Sequence, residues 1–399
     1  MAHPDGLSQW ATQVAKELPQ LSPAQARVLA WWSYGIVFTR SCACSTVAVF
    51  LGLVLGKGYH ALRQCLREWC YDAADKRGAK RQAVAVSTCF APLLSWVLRL
   101  WQGQQLALAL DATSLGERFV VLSVSVVYRG CAIPVAWRVL PANQPGAWRR
   151  EWLRLLRQLR PAVPPQVQVL VLADRGLYAR WLFGRIVRLG WHPFLRVNRG
   201  GKFQPAGTGR WVWFGDLVPQ VGGAWAGRGQ AFVSPKSRLA CTLVACWEPG
   251  HQDAWFILTD LPPRACHARV YGVRTWIEQG FKVLKRGGWQ WQQTRMSDPA
   301  RAERLWLALA VATLWVISVG DAVEQEPTLP VLQEVVACAA RGRRPRLVRL
   351  FRLGYLTLLA ALATRQTLPL PRRLSTQDWS SAGSGTAPPI PPLCTGCAA

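Results

Sequence analysis

Two apolar runs, each carrying an aspartate at its end, constrain this chain more than any other feature. Residues 106–115 read LALALDATSL and residues 167–176 read VQVLVLADRG, so that Asp111 and Asp174 each follow a short, unbroken hydrophobic stretch and precede turn-forming residues. Runs of this length with no polar alternation fit strands buried on both faces, the pattern of a parallel sheet covered by helices. Functional residues in such sheets gather at the carboxyl ends of strands, and two aspartates on neighbouring strands would stand side by side. A single aspartate in that position is more often a helix cap or turn former.

The surrounding pattern extends the same reading. FVVLSVSVVYRG and IPVAWRVL predict two further strands joined at Arg129-Gly130, and residues 148–159 predict an amphipathic helix with an arginine-rich face. After the proline-rich break at 161–165 come the Asp174 strand, a helix over 179–189 and a strand over 193–197. The expected fold class is therefore α/β, a mixed sheet flanked by helices. Residues 1–100 read as helical, and within them 46–55, Gly56-Lys57-Gly58 and 59–69 have the shape of a helix-turn-helix. The basic stretch 75–81 suits either a phosphate contact or a solvated connector.

The expected organisation is a helical region over 1–100, a core over 101–198, a β-rich insertion over 199–250, the second part of the core over 251–326, helices over 327–374 and a disordered Ser/Gly/Pro-rich tail over 375–399. Trp211, Trp213 and Trp225 lie in the insertion among glycines and arginines. Either they form its small core or one presents a ring to a nucleic-acid base.

Charge narrows the function classes. Lysine and arginine total 48 against 21 acidic residues, a formal net charge of +27, with a pI near 10.7. That is the electrostatic footprint of a nucleic-acid binder, with an anionic membrane surface as the rival partner. Against the membrane, the apolar run over 305–319 is shorter than the ~18–20 residues needed to span a bilayer, so no membrane partner is expected. The opening MAHPDGLSQW lacks the basic-then-apolar order of a signal peptide, which sets the expected location inside the cell. The 12 cysteines show no repeated spacing and read as buried thiols, and the lone Cys394/Cys397 pair does not make a zinc site.

One carboxylate stands out in so basic a chain. In YGVRTWIEQGFKVLK, over 271–285, a helical period of about 100° per residue puts Tyr271, Arg274, Glu278 and Lys285 on one face beside an apolar stripe of Val273, Ile277, Phe281 and Leu284. Alone, that face reads as a solvated salt-bridge surface. Beside Asp111 and Asp174 it supplies a third acid. Three converging carboxylates need a cation among them, and hard oxygen donors suit Mg²⁺, which would support metal-assisted cleavage of nucleic acid.

With these residues in view, the chain resembles the DDE transposases of bacterial insertion sequences, in the branch whose third acid lies in a Tyr-x2-Arg-x3-Glu-x6-Lys signature. Tyr271, Arg274, Glu278 and Lys285 keep every spacing of that signature, and the Asp174-Arg175-Gly176 run is similar to the family's second-acid motif. The resemblance covers about residues 105 to 320 and implies an RNase H-like fold with the β-rich insertion between the second aspartate and the glutamate. It implies Asp111, Asp174 and Glu278 as catalytic metal ligands for Mg²⁺, with Mn²⁺ as substitute. It further implies DNA contacts from Tyr271, Arg274, Lys285 and Arg175, a homodimer on transposon ends and target DNA, a bacterial cytoplasmic location, and cleavage followed by end joining, through a hairpin in some members. The alternative is a DNA-binding repressor or remnant that has lost catalysis. Relatives carry a tryptophan directly after the motif's arginine; here Thr275 holds that place and Trp276 comes next, a shift that favours packing over DNA contact for its ring.

Overall fold

A computed structural model describes residues 4–76, 82–143, 148–340 and 348–375, with only the backbone of Pro4 and of 337–340. Most of the expected tail, the Cys394/Cys397 pair and the end of the basic stretch 75–81 lie outside the described residues. The chain opens with helices α1 (Pro4–Glu17), α2 (Pro23–Thr39), α3 (Cys44–Leu55), α4 (Tyr59–Cys70) and α5 (Phe90–Leu100). Strands β1 (Gln105–Leu115), β2 (Phe119–Tyr128) and β3 (Cys131–Pro141) come next, then α6 (Arg149–Leu159), β4 (Gln168–Ala173), α7 (Arg180–Arg188) and β5 (His192–Val197). Beyond them lie β6 (Lys202–Pro205), β7 (Val212–Trp213), the single turn α8 (Phe214–Leu217), β8 (Ala224–Ala231), β9 (Leu239–Cys246) and β10 (Trp255–Thr259). A 3₁₀ segment over Ala268–Thr275 leads into α9 (Trp276–Leu284), succeeded by α10 (Pro299–Gln325), α11 (Pro330–Ala340) and α12 (Leu350–Ala363).

These elements form two compact units. The first comprises Met1–Gly103, Ala112–Pro165 and Trp276–Thr376; the second comprises Gln104–Asp111 with Gln166–Thr275. In the first unit, α10 is the central rod: almost all of it from Leu305 to Asp321 is buried, and α2, α12 and β3 pack around it. It is long and apolar enough to cross a membrane, but 89% of its apolar window is buried inside the protein. Gly320 and Gly354 let α10 and α12 approach closely, since a Cβ on either would collide with the other helix's backbone. The β2–β3 hairpin turns at Arg129 and Gly130, both with positive φ (45° and 85°), the conformation a two-residue hairpin loop demands.

A buried polar cluster ties this unit together at one end. Asp321, fully buried on α10, accepts hydrogen bonds from Tyr128 Oη at 2.6 Å, Arg129 Nη1 at 3.1 Å, and Ser375 N and Oγ, each at 2.9 Å. Ser375, assigned to the disordered tail from composition, is thus held in the interior, next to Leu374, which bonds the backbone of Leu100 and Gln102. The expectation of buried thiols holds in part, since Cys44 and Cys266 are only partly buried. Among the described residues Cys42, Cys70, Cys89, Cys131, Cys241 and Cys246 are buried free thiols, and Cys65 on α4 is exposed.

The second unit is built on a mixed sheet with order β1-β4-β5-β10-β9-β8-β6-β7. The first three strands are parallel, with α7 crossing from β4 to β5, and the remainder pair antiparallel. The β-rich stretch after residue 199 therefore extends this sheet through the β9–β10 pairing. Asp111 does not end its strand, contrary to the sequence reading, because β1 continues to Leu115. What ends at Leu110 is its pairing to β4, since Ala173 is the last residue of that partner strand.

Candidate active site

The register of two parallel strands places the first two acids. The final β1–β4 pair is Leu110↔Ala173, so Asp111 on β1 and Asp174 just past β4 each follow the last paired residue, at the same end of the sheet. Asp174 turns immediately: its Oδ1 accepts the backbone N–H of Gly176 at 3.0 Å and of Leu177 at 3.1 Å. These two bonds fix the carboxylate's orientation. Its Oδ2 lies 3.5 Å from Arg274 Nη2, and the same nitrogen lies 2.9 Å from Asp111 Oδ2. One guanidinium nitrogen thus bridges two carboxylates, in a pocket where the Arg274 side chain is only 10% exposed.

The approach of Arg274 comes from its local backbone. Residues 268–275 form a 3₁₀ helix, so the single α-helical face expected over 271–285 does not form. At three residues per turn, Tyr271 and Arg274 eclipse one another, which keeps them on one side of the segment. Tyr271 is buried at 3% exposure, its ring edge-on to Trp255 at 5.5 Å between centroids, and burial pushes its phenol up to about 12. It remains protonated at any physiological pH. Arg175, the residue after Asp174, is exposed.

Glu278 and Lys285 belong to the first unit. Glu278 is exposed on the first turn of α9, and Lys285 comes directly after the helix's last residue. Lys285 Nζ donates to Thr113 Oγ1 and to the carbonyl of Ser114, and partial burial lowers its pKa. Thr113 and Ser114 were not singled out from sequence; their signal was their place two and three residues after an aspartate on a strand. Helix α9 packs on β2 and β3, with Gly280 against Ala132. Trp276, expected to pack, is half-buried.

None of the three insertion tryptophans is a core residue. Trp213 is 49% exposed, with Lys202 Nζ over its ring at 4.3 Å; Trp211 is half-exposed beside Arg238; Trp225 meets Phe203 edge-on at 5.5 Å.

The donor set suits a hard divalent cation. Two carboxylates whose orientation the strand register and the turn bonds prescribe already share one positive charge, that of Arg274. Among the described residues no group of three or more His, Cys, Asp or Glu side chains forms a ready ligand set.

Residues 141–315 match the family model described as Transposase DDE domain, a little under half of the chain. The match includes Asp174, Tyr271, Arg274, Glu278 and Lys285 and begins after Asp111; it supports a DDE transposase family and a role in DNA transposition. A cryo-EM structure of a piggyBac transposase synaptic complex with hairpin DNA is similar at 11% identity, over 87% of this chain and 86% of that chain, with a TM-score of 0.29. No curated protein sequence matches the chain.

Proposed function

We propose that this chain is a DNA transposase that cleaves transposon ends and joins them to target DNA by divalent-metal-dependent hydrolysis and transesterification of phosphodiesters. The observation that carries the reading is the convergence of Asp111 and Asp174, each one residue past the last parallel register, on a single cationic nitrogen. The transposase DDE domain match and the +27 charge support it. In this reading the catalytic core is RNase H-like, Asp111, Asp174 and Glu278 hold Mg²⁺ or Mn²⁺, and the protein works as a homodimer on duplex DNA in the bacterial cytoplasm. The bound metal would activate the attacking hydroxyl and stabilise the departing oxygen. Around it, Lys285, Arg175 and Arg274 bind phosphate oxygens, and Tyr271 as a protonated phenol donates without taking part in proton transfer. Helices α1–α5 are assigned to recognition of the transposon ends.

The test is divalent-dependent nicking of a plasmid that carries the element's own ends. Asp111→Asn, Asp174→Asn and Glu278→Gln should each abolish nicking while DNA affinity, which comes from the basic surface, stays within about threefold. Cleavage that persists in chelator would overturn the metal chemistry. Intact binding with no nicking by the unaltered chain would leave the repressor reading in its place.

A further inference from the structure

Arg274 lies between the two carboxylates that would hold a divalent ion. Its Nη2 lies within 3.5 Å of an Oδ2 oxygen on each aspartate, and its side chain is almost fully buried between them. Asp174 cannot swing away to make room without breaking the two backbone bonds that hold Oδ1. A guanidinium and a metal ion at that position compete, because both draw on the Oδ2 oxygens and like charges repel at contact distance.

We infer that Arg274 is a built-in counterion that keeps the carboxylate pair closed to divalent ions until a DNA phosphate draws the guanidinium away. Without DNA, two carboxylates are partly neutralised by one guanidinium; with DNA, the same guanidinium pairs with a phosphate oxygen and the vacated carboxylates bind the divalent cation. Guanidinium forks serve carboxylate and phosphate with similar geometry, so the exchange replaces one charge-assisted contact by another. Metal and DNA binding are thereby coupled with positive sign, and linkage makes the coupling reciprocal. The consequence is an enzyme that does not load its metal when away from DNA, and so does not nick indiscriminately. The inference rests on the reading of Asp111 and Asp174 as metal ligands proposed above.

The experiment measures Mn²⁺ binding to the full chain by electron paramagnetic resonance of the free ion, with and without a short duplex, after subtracting the uptake of the duplex alone. For the unaltered protein, the duplex should tighten Mn²⁺ binding by about tenfold. Arg274→Gln, which removes the charge and shortens the side chain while keeping a planar polar end, should bind Mn²⁺ about tenfold tighter without DNA and gain little from it. Arg274→Lys, which keeps the charge on a shorter side chain, should fall between the two, and circular dichroism checks that each variant is folded. Unchanged or weaker Mn²⁺ binding by folded Arg274→Gln overturns the inference. So does an unaltered protein whose Mn²⁺ affinity ignores DNA, a result that needs no variant. If instead Asp111→Asn and Asp174→Asn leave Mn²⁺ binding untouched, the metal-ligand reading itself has failed.

Discussion

Lys285 Nζ donates to Thr113 Oγ1 and to the Ser114 carbonyl, each at 2.8 Å, so the residue that closes α9 is fastened to the strand just past Asp111. Burial lowers the pKa of this ammonium below the ordinary lysine value of 10.5. The unfolded chain therefore holds the proton to higher pH than the folded one, which sets the sign: the Lys285 contribution to stability rises as pH climbs from the lowered pKa towards 10.5. Denaturant titrations across that alkaline window should show this slope in the unaltered protein and lose it in Lys285→Met. The same variant should weaken DNA binding and reduce its salt slope by about one phosphate contact.

Asp321 offers a stability test remote from the carboxylate pair. Replacing it with alanine leaves Ser375 N and Oγ without this acceptor, Tyr128 with only the Ser375 carbonyl and Arg129 with Glu324. The expected loss is about 3–5 kcal/mol, read as a shift of the urea midpoint. Asp321→Asn keeps the shape and one acceptor oxygen and should cost about half as much. Equal stability of the alanine variant would mean that the cluster is not closed in solution.

Gly280 tests how closely α9 must lie on the hairpin. A Cβ there would come 2.7 Å from the Cβ of Ala132 and 3.3 Å from its carbonyl oxygen, and alanine has no rotamer with which to yield. Gly280→Ala should destabilise by about 1–3 kcal/mol and slow cleavage, because the displaced helix carries Glu278 and Lys285. Adding Ala132→Gly should recover most of both losses. A full loss that Ala132→Gly leaves uncorrected would assign the effect to the helix backbone instead.

Trp213 is half-exposed with Lys202 over its ring, so Trp213→Ala should cost less than about 1 kcal/mol of stability. If its ring holds an unstacked base, the variant should nick DNA at a near-normal rate and slow the hairpin or later steps by about one to two orders of magnitude. End-labelled DNA tracked step by step on gels separates the two. Equal slowing at every step would make it a general DNA contact.

How much of this was legible in the sequence varied with the physics of each element. The pairing of Asp111 with Asp174 was legible because two unbroken apolar runs permit little besides adjacent buried strands, and the register Leu110↔Ala173 then sets the two aspartates level with each other. The reach of β1 to Leu115 was not, since Thr113 and Ser114 read as turn formers, and the pairing of β1 to β2 and the bonds of these two residues to a lysine 172 and 171 positions away exist only in the folded chain. Nor was the 3₁₀ geometry over Ala268–Thr275, which spacing cannot distinguish from an α-helix over so short a stretch. Arg274 looked like a phosphate ligand by its place in the motif, and its pairing with the aspartates emerges only once three distant segments are folded together. Ser375 was misplaced because composition describes a segment's average and a single buried aspartate can anchor its first residue.

The buried thiols have a practical consequence. Loss of hydration raises the pKa of Cys44 and Cys89 to about 11 and of Cys42, Cys241, Cys246 and Cys266 to about 12, so almost none of these sulfurs is thiolate near neutrality. Electrophiles attack thiolates, and among the described residues Cys65 on α4 is the cysteine that is exposed. A maleimide dye applied briefly at neutral pH should therefore label Cys65 ahead of Cys42, Cys44, Cys89, Cys241, Cys246 and Cys266, which places a reporter on the helices assigned to transposon-end recognition.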